Sequence, residues 1–286
     1  MRYIIAIAAL LLGMSLMAYS GVQLSDTRQI YRESSIAYEN LRNQVKKSPA
    51  DHAVPQENIS HSLEQISKQA QDNISELPQK NTEVAQVEAL PTIYIPKLDI
   101  DFEKLKQINK DATAWLYSPD TAIDYPVMRA NDYNYYLSHL PDHTKNVNGS
   151  LFIDYNSAPD FSDPLTIIYG HHMKSKDMMF GSLKGYKDQK YYDKNPYMYL
   201  YTEQKNYRID LIYGCVIAAG KWREQAFMFA ENLEAFLAYA AQNTTFNSGV
   251  QYEGYKEGDK IIALSTCSYE FDDARYVVLG ILRNEF

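Results

Sequence analysis

The chain opens on an almost unbroken apolar run from Tyr3 to Tyr19, preceded by Arg2 and followed by a polar stretch containing Asp26, Arg28 and Arg32. About 17 apolar residues lie at the short edge for crossing a bilayer and exceed a signal-peptide core, so residues 1–24 are predicted to be an uncleaved membrane anchor. Cleavage is the competing reading, because Ala18-Tyr19-Ser20 is a small-x-small site of the kind signal peptidases cut. On both readings Arg2 stays inside and the C-terminal bulk is exported. Residues 25–90 are then polar, rich in Gln, Asn, Ser, Glu and Lys, and read as a partly helical stalk. Within it Ile59, Leu63, Ile66, Ala70, Ile74 and Leu77 recur at spacings of three and four. They form one helical stripe, which either docks on the following domain or belongs to a simple spacer.

Beyond residue 90 the pattern changes to short strands. They are predicted over Thr92 to Ile95, Ala114 to Tyr117, Ile123 to Met128, Ser150 to Asp154, Leu165 to Tyr169, Tyr207 to Ala218, Lys260 to Thr266 and Tyr276 to Leu282. Turn signals such as Ser118-Pro119-Asp120, Asn148-Gly149 and Glu257-Gly258-Asp259 separate them, which suits an all-β barrel or sandwich over residues 91–286. Two helices interrupt the strands. One opens around Asp101 to Ile108; the other runs from about Asn232 to Gln242, with Leu233, Phe236, Leu237 and Ala240 on one buried face.

Composition narrows the function. Only four aromatic residues precede residue 91, all Tyr, against 33 after it, so the core lies in the C-terminal part. The 286 residues carry 28 basic and 36 acidic side chains, a net charge of −8, which argues against nucleic acid as a partner. Two cysteines, Cys215 and Cys267, build neither a disulfide framework nor a four-thiolate zinc site, although one bridge between them is open. No cofactor or metal is called for: Glu270, Asp272 and Asp273 lack the alternating spacing of a calcium loop and read as a solvated turn.

Three strand ends carry reactive groups. The apolar strand Ile261 to Leu264 leads into Ser265-Thr266-Cys267, so a rigid scaffold presents a thiol at its end. An inert buried hydrophobe is the commoner fate of a free cysteine and is the reading taken for Cys215. Leu165 to Tyr169 leads through Gly170 into His171-His172, and imidazole is the side chain that titrates near neutrality. Adjacent residues at a strand end point opposite ways, so only one of the pair faces the thiol; His171 is the choice. His52, His61, His139 and His143 read as exposed background. Arg275 opens the strand after Cys267, where its guanidinium can stabilise charge on a carbonyl oxygen or pair with Glu270, Asp272 or Asp273.

Leu264-Ser265-Thr266-Cys267, Arg275 before a Val-rich last strand and Tyr169-Gly170-His171 upstream together resemble the signature of the sortases, membrane-anchored cysteine transpeptidases of Gram-positive bacteria. Ile108-Asn109, Ala114-Trp115, Ile123-Asp124-Tyr125-Pro126-Val127, Asp132 with Tyr135-Tyr136-Leu137, and Gly149 through Tyr155 are similar to the class B branch in order and spacing. So is the helix before the cysteine strand. Ala263 departs from the threonine common at the start of the cysteine motif. The resemblance covers roughly residues 95–286. It implies a mostly β fold, a closed barrel with peripheral helices that include an N-terminal one.

The resemblance also implies roles: Cys267 as nucleophile, His171 as acid and base, Arg275 as the oxyanion and positioning group. Ser265 and Leu137 correspond to positions that touch the bound sorting motif, with ordinary core packing the alternative for Leu137; Thr266 is counted with them. Tyr213 to Tyr255 covers the groove wall. The implied enzyme cleaves a sorting motif in secreted surface proteins, holds the acyl part as a thioester and passes it to an amine of peptidoglycan or a pilin lysine. Its place is the cell membrane, single-pass, with the catalytic domain outside. A hydrolysing cysteine protease and a non-catalytic surface binding protein are the alternatives.

Overall fold

The computed structural model describes residues 27–47, 98–129, 131–173, 178–221, 233–249 and 258–284. Two compact units emerge: Lys46–Asp101, and the remainder of the chain. In the first, Lys46 bridges Ile100 in antiparallel fashion and the Lys47 amide donates to Asp99 O at 3.0 Å.

The larger unit begins with helix α1 (27–45), followed by α2 (Phe102–Ile108), β1 (Ala112–Tyr117), β2 (Asp124–Met128), β3 (Leu151–Ile153), β4 (Leu165–Tyr169), α3 (Gln189–Lys194), β5 (Tyr197–Thr202), β6 (Asn206–Ala218), α4 (Leu233–Gln242), β7 (Ile261–Cys267) and β8 (Ala274–Asn284). The eight strands close into a barrel in the order β1-β2-β3-β4-β7-β8-β6-β5. Closure leaves no exposed strand edge to be managed. Most neighbours are antiparallel, but β2–β3 and β4–β7 run parallel. The predicted strands from Ala114 onward are present, with ends moved by a few residues; β5 is additional. The segments 1–24, Ile59 to Leu77 and Thr92 to Ile95 lie outside the described residues. Among the described residues no helix is long and apolar enough to cross a membrane.

Strands β7 and β8 are buried on both faces, which explains their near-continuous apolar sequence. One face fills the barrel. The other face meets α4: Leu233, Phe236, Leu237 and Ala240 pack on Ile261 and Ala263 of β7, Val277, Leu279 and Ile281 of β8, Cys215 and Ile217 of β6 and Ile167 of β4. The helical stripe read from spacing is thus the one that packs. Each fully buried Leu, Ile or Phe of this layer contributes about 1.5–3 kcal/mol of apolar burial.

Helix α1 is held by Tyr38, Leu41 and Val45, all buried. Tyr38 Oη donates to Gly149 O at 2.6 Å, and its ring meets Tyr125 edge-on at 4.9 Å. Burial pushes the Tyr38 hydroxyl above its ordinary pKa, so it stays a donor. Gly149 has φ +57°, and a Cβ there would lie 2.3 Å from Tyr136 O. No other residue fits this crossing, which sets the loop carrying Leu137 against β3.

Candidate active site

The outer face of β7 does not end where α4 ends. Ile261 and Ala263 lie under the helix, and the next residues of the same face, Ser265 and Cys267, emerge beyond it. In the antiparallel β7–β8 ladder Cys267 stands directly opposite Arg275. Directly paired residues of such a ladder share a face, with Cβ atoms about 5 Å apart. The thiol and the guanidinium stem are therefore neighbours by register alone. Arg275 Nη1 donates to Ala274 O at 3.0 Å. Glu270, one of the carboxylates weighed as its partner, is paired with Lys187 instead.

His171 arrives from the parallel neighbour. Strand β4 pairs with β7 as far as Tyr169 opposite Ser265, and the Gly170 amide then donates to Ser265 O at 3.2 Å. A Cβ on Gly170 would lie 2.5 Å from Leu151 Cδ2 and 2.6 Å from Phe180 Cδ2, so glycine lets the chain pass through this gap. The Phe180 amide holds His171 O at 3.1 Å. His171 Nε2 lies 2.7 Å from Leu137 O. A carbonyl only accepts, so Nε2 carries the proton and, in the neutral ring, Nδ1 is the basic nitrogen.

His171, Cys267 and Arg275 line one cavity of about 600 Å³, together with Leu137, Ser265 and Thr266. The structure thus brings all six candidate residues to one place. Leu137 is 38% exposed, so it is a wall of the cavity rather than core. Ser265 and Thr266 are buried, and neither Ser265 Oγ nor Thr266 Oγ1 has a hydrogen-bond partner among the described residues. A buried hydroxyl without a partner is destabilising by about 1–3 kcal/mol, which a ligand hydrogen bond relieves. Of the span Tyr213 to Tyr255, Ala219 reaches the cavity among the described residues, while Tyr213 packs beneath α4.

Cys215 and Cys267 are both free thiols, so no bridge joins them. Burial pushes the Cys215 thiol up to about 12, leaving it neutral and unreactive. His139 is half-buried, not exposed as expected: Tyr135 stacks on it at 4.1 Å. His143 is exposed and meets Tyr135 Oη at 2.9 Å. Among the described residues no group of three His, Cys, Asp or Glu is placed to hold a metal ion.

Sequence reasoning missed the aromatic wall opposite Ser265. Tyr133 and Tyr169 donate to the two oxygens of Asp154 at 3.1 and 3.2 Å, and Asp154 is buried. Tyr133 also meets Tyr155 edge-on at 4.6 Å. Desolvation first, and the Asp154 carboxylate second, raise the Tyr133 hydroxyl above its usual range. Residues far apart in sequence meet here, and no local spacing reveals that. It also missed a latch on the β7–β8 loop, where Lys187 pairs with Glu270 and reaches Ser268 Oγ at 3.2 Å. Burial alone would raise the Glu270 carboxyl, but hydrogen bonds from Lys187 and Ser268 and the lysine charge outweigh it and hold it at about 2.

A closed β-barrel with a partly exposed thiol, an imidazole and a guanidinium in one surface cavity is an arrangement suited to cysteine acyl transfer. Comparison with known proteins places it further. Sortase B of Listeria monocytogenes is 33% identical over 185 residues, covering 64% of this chain and 74% of that protein. A Staphylococcus aureus sortase B–substrate complex superposes with a TM-score of 0.59 at 25% identity, over 65% of this chain and 86% of the other. A Streptococcus pyogenes class B sortase involved in pilus biogenesis gives 0.56 at 25% identity, over 64% and 97%. No family model matches the chain. The chain belongs to the class B sortases, and its enzymatic class is that of a sortase-type cysteine transpeptidase.

Proposed function

We propose that this protein cleaves a sorting motif in secreted surface proteins and transfers the acyl part to an amine, with Cys267, His171 and Arg275 as its catalytic groups. The observation that carries the reading is the register pair Cys267–Arg275 in the cavity that His171 also lines. The Cys267 thiolate attacks the scissile carbonyl, and the Arg275 guanidinium stabilises the oxyanion. The imidazolium of His171 gives its proton to the leaving amine, and a thioester remains on Sγ. His171 then takes a proton from the incoming amine, which attacks the thioester, forms the new amide and releases the thiolate. The Leu137 carbonyl holds the ring in one orientation through both halves.

Ser265, Thr266 and Leu137 are assigned to the bound motif. The unpartnered Ser265 hydroxyl, on the Cys267 face of β7, suits a backbone or amide group, and Leu137 suits an apolar one. The apolar wall limits water at the thioester, so an amine outcompetes hydrolysis. The acceptor is an amine of peptidoglycan or a pilin lysine; the substrate complex and the pilus role of the two structural relatives support this class of partners. The apolar segment 1–24 supports attachment to the cell membrane with the catalytic unit outside.

The test incubates the full chain with candidate sorting peptides, with and without an added amine, and identifies products by mass spectrometry. A new amide product and a thioester adduct on the Cys267 peptide are expected. Release of free acid alone in the presence of amine overturns transfer in favour of a hydrolase. Full function in Cys267→Ala overturns catalysis altogether.

A further inference from the structure

The two histidines that follow β4 stand in different relations to Cys267. His171 lines the cavity with the thiol, whereas His172 Nδ1 lies 2.8 Å from the Cys267 carbonyl oxygen. The carbonyl accepts, so Nδ1 of His172 is the donor. In a parallel ladder, donors from one strand fall two residues apart along the chain. The Gly170 amide donates to Ser265 O, so the next rung of this seam would run from residue 172 to Cys267 O. The rung is present, but the imidazole makes it. The backbone of His172 meanwhile forms an antiparallel bridge with Met179.

We propose that His172 is a positioning residue: its side chain supplies the last rung of the β4–β7 seam and fixes the nucleophile's main chain relative to His171. This rests on the catalytic reading given above. The device answers a geometric conflict. To overhang the cavity, His171 must leave the sheet, and a chain that leaves the sheet loses its ladder bond to the residue bearing the nucleophile. A side-chain donor one position later restores that bond while the backbone turns away. The ring edge packs against Tyr269 at 5.1 Å, which restricts its rotation.

The test compares His172→Asn, His172→Leu and His172→Gln in the full chain. The asparagine amide nitrogen is as many bonds from Cα as Nδ1, leucine has similar bulk without a donor, and the glutamine amide reaches one bond too far. Rates are expressed per folded protein, taken from the near-UV circular dichroism of each variant, so that loss of folded enzyme does not enter. His172→Leu and His172→Gln are expected to lower kcat about 10- to 100-fold, the scale of a small misplacement of reacting groups, with KM little changed. His172→Asn is expected to recover kcat to near the wild-type value. Wild-type kcat in His172→Leu, or His172→Asn as slow as His172→Gln, overturns the proposal. Where leucine prevents folding, the order of asparagine over glutamine decides. The iodoacetamide rate at Cys267 is an arm independent of transfer, expected to fall in His172→Leu and to hold in His172→Asn. Should the wild type form no amide product, the catalytic reading fails, while this second arm still decides the positioning role.

Discussion

Cys215 and Cys267 stand on the same outer surface of the barrel, on the two strands that flank β8. Cys215 faces Val277 and lies beneath α4, fully buried, whereas Cys267 faces Arg275 past the end of the helix and is half-exposed. Nothing in the residue type separates them. What differs is the cover: an apolar layer drives one thiol's pKa up to about 12, and an open cavity gives the other a cation and an imidazole. Cover, not residue type, separates the two thiols.

The largest effect that can break this comparison is exchange of the thiols themselves. Cys267→Ala is expected to lower transfer by about 10⁴-fold or more while the thermal unfolding curve is retained. Cys215→Ala is expected to leave kcat unchanged and to cost about 1 kcal/mol in denaturant unfolding, from the lost apolar burial. Cys215 also has a pH signature. Its folded pKa is raised, so the stability it contributes is complete below the ordinary value of 9.0 and is lost as pH climbs toward about 12. Unfolding at pH 7 and pH 10.5 checks this: the alanine variant loses less stability between the two.

A smaller effect is expected from Arg275→Lys, which keeps the charge but not the planar fork. It is expected to reduce kcat about 10²- to 10³-fold with Cys267 still open to alkylation, measured by steady-state kinetics and mass spectrometry. The smallest concerns the latch beside the site. Lys187 and Glu270 are 33% and 39% exposed in their side chains, so Glu270→Gln is expected to lose at most about 1 kcal/mol. The folded carboxyl pKa is lowered, so the wild type holds this contribution above 4.5 and sheds it as pH falls toward about 2. Urea unfolding at pH 7 and pH 3 checks this: the difference between wild type and variant is expected to be smaller at the lower pH.

The apolar run of β7 and the helical stripe of α4 were legible because both are local, the first an aliphatic run between polar flanks and the second a three-and-four spacing. Strand β5 was not: Tyr197–Thr202 is buried on both faces along most of its length and shows no alternation to distinguish it from a loop rich in tyrosine. The stretch 27–45 reads as polar, and Tyr38, Leu41 and Val45, with Ser34, carry its buried side. Thiol, imidazole and guanidinium could be chosen from their places at strand ends. The partners that hold them could not, since His172 to Cys267, His171 to Leu137 and Tyr133 to Asp154 are long-range pairings fixed by barrel closure.

That closure has a consequence for how the enzyme comes into being. The seam between β4 and β7 joins strands with β5, β6 and α4 between them in sequence, and β7 is seated between β4 and β8, the last strand of the chain. Pairings of such high contact order form late, after the local elements. A nascent polypeptide carries its histidine long before its sulfur, and a truncated one never aligns them. On the assignment proposed above, completion of the barrel is also the step that gathers Cys267, His171 and Arg275 around one cavity, so a chain released before β7 lacks the assembled site.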